Sequence, residues 1–202
     1  MKVLIIGSGG REHTLAWKVS QNSKVEKIYA IPGNPGIALL ADCINLDINN
    51  NQEIVKFALD NKIDLTIVGP EVPLTNGLVD ELAEVGLKAF GPTKVADEIE
   101  GSKAFSKWLM KKYDIPTARF EVFEEAELAK KYVNELGAPI VIKADGLAAG
   151  KGVIIAQTIA EATEAIDSIM CDKAFGSAGH KVVIEEFLVW EEASILTFTD
   201  GE

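Results

Sequence analysis

A chain of 202 residues, 48% hydrophobic and 25% charged, can fill one large core or two modest ones, and that balance excludes a disordered or fibrous protein. Its formal charge of -11 opposes non-specific binding to nucleic acid or to an anionic membrane face, so an anionic ligand must be captured locally by glycine loops and a few placed cations. No apolar run approaches the ~20 residues that span a bilayer, and the N-terminal VLII is too short for a secretory signal, so a cytoplasmic protein is expected.

In chain order, residues 1–90 alternate apolar strands (KVLII, KIYAI, CINL, DLTIV, LKAF) with helically spaced segments at 11–21, 52–61 and 77–85. That order implies α/β architecture: a mostly parallel sheet, covered by helices on both faces, with ligands at the carboxyl ends of its strands. Residues 91–117 read as a connector, where GPT and IPT bracket a helix over 102–112 with Ser102 as N-cap. A compact α+β module over 118–188 follows. It comprises strand ARFEVF, helix EEAELAKKYVNEL, strand PIVIKA, a glycine loop, strand GVIIA, helix IAEATEAIDSIM and strand KVVIEEF. The run ASILTFT reads as one more strand with no sheet to join, so 189–202 are expected to open a subdomain continuing past this sequence. Cys43 and Cys171 lie far apart without nearby partners; they imply neither a disulfide nor a zinc site and are expected to be small packing residues.

The first strand runs into Gly7-Ser8-Gly9-Gly10-Arg11-Glu12-His13, which has Glu12 where the dinucleotide fingerprint G-x-G-x-x-G asks for glycine. A side chain there is expected to crowd the helix against the strand. The acidic residue that would hold a ribose is also missing after YAIPGNPG, so an NAD-dependent dehydrogenase is the rival reading. A helix N-terminus behind Gly9 and Gly10, with Arg11 in its first turn, suits a phosphate monoester instead. Two further loops, PGNPG (32–36) and GPE (69–71), fall at the same sheet edge and converge on one crevice. Glu71 is either a partner for the hydroxyls or amine of a phosphorylated sugar, or a solvated turn residue. His13 reads as structural, because no nucleophile or second base accompanies it.

Residues 140–155, IVIKADGLAAGKGVII, place a glycine loop between two strands rather than between a strand and a helix. G-x-x-x-x-G-K-[ST] does not fit, since Gly146 and Gly150 are too close and Gly152 follows Lys151 where a hydroxyl would hold magnesium. A hairpin tip has no helix dipole behind it and holds anions with backbone N–H groups and lysine charge alone. The small residues of GLAAG let backbone approach a triphosphate, with Lys143 and Lys151 on either side; the alternative is a flexible surface hairpin with two solvated lysines. Downstream, VVIEEFLVWEEAS puts Glu185, Glu186, Glu191 and Glu192 beside a buried strand. Such a strand can offer backbone groups to an adenine edge and a carboxylate to ribose hydroxyls, or it is an acidic turn between strands.

The segments GSGGREH, PGNPG, DLTIVGPE, FGPT, EGSKAF, IPTA, PIVIKADGLAAGKGV and VVIEEF…EEAS, in this order across the whole chain, resemble the glycinamide ribonucleotide synthetase (phosphoribosylamine-glycine ligase) family of ATP-grasp ligases. The resemblance implies a Rossmann-like domain over 1–90, a connector with a helix over 91–117, an ATP-grasp lid subdomain over 118–188 and the start of the second ATP-grasp half over 189–202. It also implies a step of purine synthesis. ATP activates the carboxylate of glycine as glycyl phosphate, and the amine of phosphoribosylamine displaces phosphate to give glycinamide ribonucleotide.

By the same resemblance Lys103 and Lys143 hold ATP phosphates, and Gly146, Gly150, Lys151 and Gly152 belong to a closing flap. Glu185, Glu186, Phe187 and Leu188 face adenine through the backbone, with Glu192 on the ribose. The phosphate of the amine substrate sits at Gly9, Gly10 and Arg11, with Glu12, Asn34, Pro70 and Glu71 around it. No catalytic residue is implied. The Mg2+ ligands and most of the glycine site are expected beyond residue 202, so this chain alone is expected to bind nucleotide weakly without turnover. Another ATP-grasp carboxylate-amine ligase and a non-catalytic nucleotide-binding fragment remain as alternatives beside the dehydrogenase. Between EEFL and EEAS the family has an acidic residue and a glycine; here Val189 and Trp190 put a bulky apolar pair at the nucleotide hinge. Trp190 is expected to be exposed or to pack against a segment outside this chain.

Overall fold

The computed structural model describes residues 1–148, 151–172, 174, 176–189, 191–197 and 199, in two compact units, Met1–Ser106 and Lys107–Glu202. In the first, β1 (Lys2–Gly7), β2 (Lys27–Pro32), β3 (Asp42–Cys43), β4 (Leu65–Val68) and β5 (Ala89–Phe90) form a parallel sheet in the order β3-β2-β1-β4-β5. Parallel neighbours require crossovers, which α1 (Gly10–Ser20), a 3₁₀ turn (Ile37–Leu39) between β2 and β3, α2 (Asn51–Asp60), α3 (Glu71–Thr75) and α4 (Leu78–Glu84) supply. On one face of β1, Leu4 and Ile6 join Ile54, Ala58, Leu78 and Leu82; on the other, Val3 and Ile5 join Ala16, Ile28 and Ile37. A strand buried on both faces has no polar side, which is why VLII is uniformly apolar. The connection leaves β1 to β2 on one side and later returns to β4 on the other, so the strand order reverses at β1. That reversal opens a crevice at the carboxyl ends of β1 and β4.

Helix α5 (Lys94–Gly101) precedes α6 (Lys103–Lys112), which contains the boundary between units. In the second unit β6 (Phe120–Phe123), β7 (Ile140–Ala144), β8 (Val153–Ala156) and β9 (Val182–Glu186) form an antiparallel sheet in the order β6-β9-β7-β8. Helices α7 (Ala126–Leu136) and α8 (Ile159–Ile166) cover one face, where Ile140, Ile142, Val182 and Ile184 pack against Ala129, Val133, Ala162 and Ile166. Strand alternation then puts Val141, Lys143, Val183 and Glu185 on the opposite face, with Val141 beside Glu185 and Lys143 beside Val183.

Several local expectations change. GPT begins a helix rather than a plain connector, because the Thr93 hydroxyl accepts the Ala96 amide at 3.3 Å and caps α5. GPE likewise opens α3, which tolerates Pro73 because first-turn N–H groups have no intrahelical partner. Ser102 caps α6 as expected, accepting the Phe105 amide at 3.1 Å. CINL contributes only its first residue to β3, at the sheet edge. The described residues of ASILTFT form no strand, and Ile195 and Leu196 are 91% and 93% exposed; an apolar run without a neighbouring ladder leaves its backbone groups to water. Both cysteines are free and exposed rather than packed, Cys43 on the two-residue edge strand and Cys171 in the turn after α8. Among the described residues, no helix is long and apolar enough to cross a membrane.

Candidate functional site

At the carboxyl end of β1 the chain turns through Gly7, at φ 122°, into the first turn of α1. Glu12 folds back into that turn and is 3% exposed, with Oε2 accepting the Gly9 amide at 2.7 Å. A Cβ added at Gly7 would meet Glu12 Cγ at 2.7 Å, and one at Gly9 would meet Oε2 at 2.8 Å. At Gly69, after β4, a Cβ would overlap Oε1. Three glycines from two loops thus make the space this carboxylate fills, and the expected crowding of α1 against β1 does not arise. The Gly9 amide is already satisfied, so the pyrophosphate grip of a dinucleotide site is blocked. The first turn of α1 also carries the N–H groups of Gly10 and Arg11, and the Arg11 side chain is 70% exposed.

The neighbouring loops are tied to this turn. Asn34 donates to the Ser8 carbonyl at 2.8 Å and accepts the Ile37 amide at 2.9 Å, fastening PGNPG beside the β1 loop. The His13 ring lies against Gly36 so closely that no Cβ fits there, which gives His13 a packing role. Pro70 precedes α3 and Glu71 opens it, accepting from Arg11 Nη2 at 3.1 Å. The Glu71 carboxyl is held below the usual range by its own backbone N–H and then by Arg11, whose guanidinium is pushed up in turn. Asp97 on α5, 5% exposed, is pushed up by burial and then by the charges of Glu100 and Glu71. A phosphate arriving here therefore has to displace Glu71 from Arg11 against a surplus of negative charge.

In the second unit, β7 and β8 are the two strands of the expected glycine hairpin. Ala144 donates to the Gly152 carbonyl at 2.8 Å, and Lys151 donates to the Ala148 carbonyl at 2.9 Å. Gly152 is buried where a Cβ would meet Ala148 Cβ at 2.6 Å, and Gly146 sits at φ 109°. Lys151 is exposed; Gly150 lies outside the described residues. Lys143 Nζ lies 2.9 Å from Glu185 Oε1, and Lys107 Nζ lies 2.9 Å from Glu185 Oε2. Lys107 also donates to the Thr117 hydroxyl at 2.6 Å.

Glu186 turns elsewhere. Its carboxylate accepts from the Arg119 backbone and Nε, both at 2.8 Å, and its amide donates to the Arg119 carbonyl at 3.0 Å. In the segment from Glu185 to Leu188, the backbone groups past the ladder therefore belong to Phe187 and Leu188, both half-buried. Glu192 is exposed, and Trp190 lies outside the described residues. Lys103 begins α6 in the first unit, half-buried.

Lys107 and Thr117 are the residues the sequence did not single out. The available signal was that Lys107 stands one turn after Lys103 on the same helix.

The family model for the phosphoribosylglycinamide synthetase N domain matches residues 1–100, and that for the phosphoribosylglycinamide synthetase ATP-grasp (A) domain matches 101–202. The chain belongs to the phosphoribosylglycinamide synthetase family. Within the family, the phosphoribosylamine-glycine ligases of Halalkalibacterium halodurans and Vibrio cholerae are 54% and 56% identical to it. Each alignment covers 100% of this chain, and 47% and 48% of those proteins. The crystal structure of the Thermotoga maritima phosphoribosylamine-glycine ligase matches with a TM-score of 0.77 at 31% identity, over 95% of this chain and 45% of that one. The biotin carboxylase domain of the Hydrogenobacter thermophilus 2-oxoglutarate carboxylase, at 23% identity and a TM-score of 0.74 over 93% of this chain and 44% of that one, shares the fold. The chain spans about half the length of the curated relatives it matches. In phosphoribosylglycinamide synthetase terms, the β7–β8 hairpin and the Lys107–Glu185–Lys143 cluster fall in the ATP-grasp domain, and the Glu12 turn falls in the N domain.

Proposed function

We propose that this chain is the half of a cytoplasmic ATP-dependent carbon–nitrogen ligase that grips nucleotide and amine substrate, joining glycine to phosphoribosylamine. The observation that carries the reading is Lys143, on the strand that enters a glycine hairpin and paired with the buried Glu185 of β9, inside a matched ATP-grasp domain. A carboxylate at neutral pH resists attack by an amine until one oxygen becomes a good leaving group, and transfer of a phosphoryl group from ATP to glycine supplies that. Proteins serve such transfer mainly by positioning and charge neutralisation.

In this scheme Lys103, Lys143 and Lys151 neutralise the polyphosphate, and the amides of Gly146 and Gly152 approach it. Phe187 and Leu188 meet the adenine edge through their backbone, and Glu192 takes the ribose. Gly10 and Arg11 hold the phosphate of the amine substrate, with Asn34 and Glu71 beside it. The functional divisions follow as 1–90, 91–117, 118–188 and 189–202. Enzymes of this family use ATP with Mg2+; among the described residues no three His, Cys, Asp or Glu side chains converge as a metal site.

The test joins these 202 residues to the remaining length of a relative and measures ADP release. Glycine and phosphoribosylamine together should drive ADP release, and the 202-residue chain alone should give none. ADP release driven by a different carboxylate and amine would replace this reading with that of another ATP-grasp ligase.

A further inference from the structure

We infer that Lys107 is a positioning residue for Lys143: it is the permanent partner of Glu185 that lets Lys143 leave for the phosphates of a nucleoside triphosphate. The inference rests on the nucleotide reading above. Glu185 is 5% exposed and has an ammonium group 2.9 Å from each carboxylate oxygen, the Lys143 contact being an ion pair without hydrogen-bond alignment. The two lysines are not equivalent. The Lys107 side chain is 11% exposed, donates to the Thr117 hydroxyl and lies 5.7 Å over the Phe120 ring, so it is fixed from three directions. The Lys143 side chain is 25% exposed and sits on the strand that enters the hairpin.

A buried carboxylate stripped of its counter-charge is strongly disfavoured, whereas one well-placed ammonium keeps it compensated. One carboxylate between two ammonium groups leaves a surplus positive charge, and a polyphosphate draws on that surplus. With Lys107 in place, Lys143 can exchange Glu185 for an anion without isolating the carboxylate. Without Lys107, Lys143 is the counter-charge and stays where it is. Lys107 has this effect without touching the nucleotide.

Acetylation of Lys143 by a limiting pulse of acetic anhydride, read by mass spectrometry in the nucleotide-free 202-residue chain, reports how firmly Glu185 holds it. Lys107→Met should slow the labelling about fivefold or more, Lys107→Arg should keep it within about twofold, and Glu185→Gln should speed it. The double variant Lys107→Met/Glu185→Gln should label like Glu185→Gln within about twofold, because Lys107 acts only through that carboxylate. Removing both charges of a buried pair is better tolerated than removing one, so where Lys107→Met alone does not fold the double variant still tests whether Lys107 acts through that carboxylate, and Lys107→Arg tests whether its charge is what matters. With MgATP present, Lys107→Met should need about tenfold more nucleotide to protect Lys143, and the double variant should return to the Glu185→Gln value. Lys143 labelling indifferent to Lys107→Met, or a double variant departing from Glu185→Gln by more than about fivefold, overturns the inference. If MgATP protects Lys143 in no variant, the nucleotide reading fails, while the nucleotide-free rates still decide the role of Lys107.

Discussion

Replacing Glu185 with leucine lowers the stability of the second unit by about 3–5 kcal/mol, because Lys107 and Lys143 are left as ammonium groups around a buried position with no counter-charge. Glu186 provides the control. Its partner Arg119 has a side chain 88% exposed, so Glu186→Leu should cost only about 1 kcal/mol. Two adjacent glutamates on one strand are thus separated by what surrounds them. A chain with two units need not unfold in one step, so the measurement is native-state hydrogen exchange of β7 and β9 amides against urea, which reads the second unit by itself. Equal losses in the two variants would remove the buried cluster as the source of the difference.

The glycine cradle around Glu12 gives the second large effect. Gly69→Ala should destabilise the first unit by about 2 kcal/mol through overpacking against the buried carboxylate. Gly7→Ala should cost about 3 kcal/mol or more, because an L side chain at φ 122° adds backbone strain to the same overlap. Glu12→Ala loses the Gly9 hydrogen bond and opens a void, at about 2 kcal/mol. Combined with Gly69→Ala it should cost less than the sum by about 1 kcal/mol, since the new methyl enters the vacated space. Combined with Gly7→Ala, the strain persists and less is recovered. Chemical denaturation of the three single and two double variants measures the coupling; additivity within about 0.5 kcal/mol for Glu12 and Gly69 would mean the cradle is not what holds the turn.

The strands were legible in the sequence wherever burial imposed a period. VLII, buried on both faces, is uniformly apolar, while IVIKA alternates in burial, with Lys143 opposite its core face although Val141 keeps the sequence itself from alternating. The hairpin between β7 and β8 was legible for the same reason, since β-branched runs flank its glycines. What stayed hidden depends on contacts distant in the chain. Glu12 looks like a misfit in a glycine fingerprint until Gly69, from another strand end, is seen to make room for it. Lys107 looks like one more solvated lysine on an amphipathic helix until Glu185 arrives beside it from β9. Helices α3 and α5 were hidden by their own proline and glycine punctuation, which marks a helix start as readily as a loop. ASILTFT shows the reverse case, in which strand composition without a partner strand produces no strand among the described residues.

On the proposed reading, the hairpin between β7 and β8, with Lys143 at its base, closes on the polyphosphate of ATP, which amide hydrogen exchange of the 202-residue chain with and without millimolar MgATP detects. The expected result is slowed exchange in peptides covering 143–153 and 185–188, with 7–12 unchanged. Slowing at 7–12 with none at 143–153 would place the nucleotide on the first glycine loop and contradict the claim.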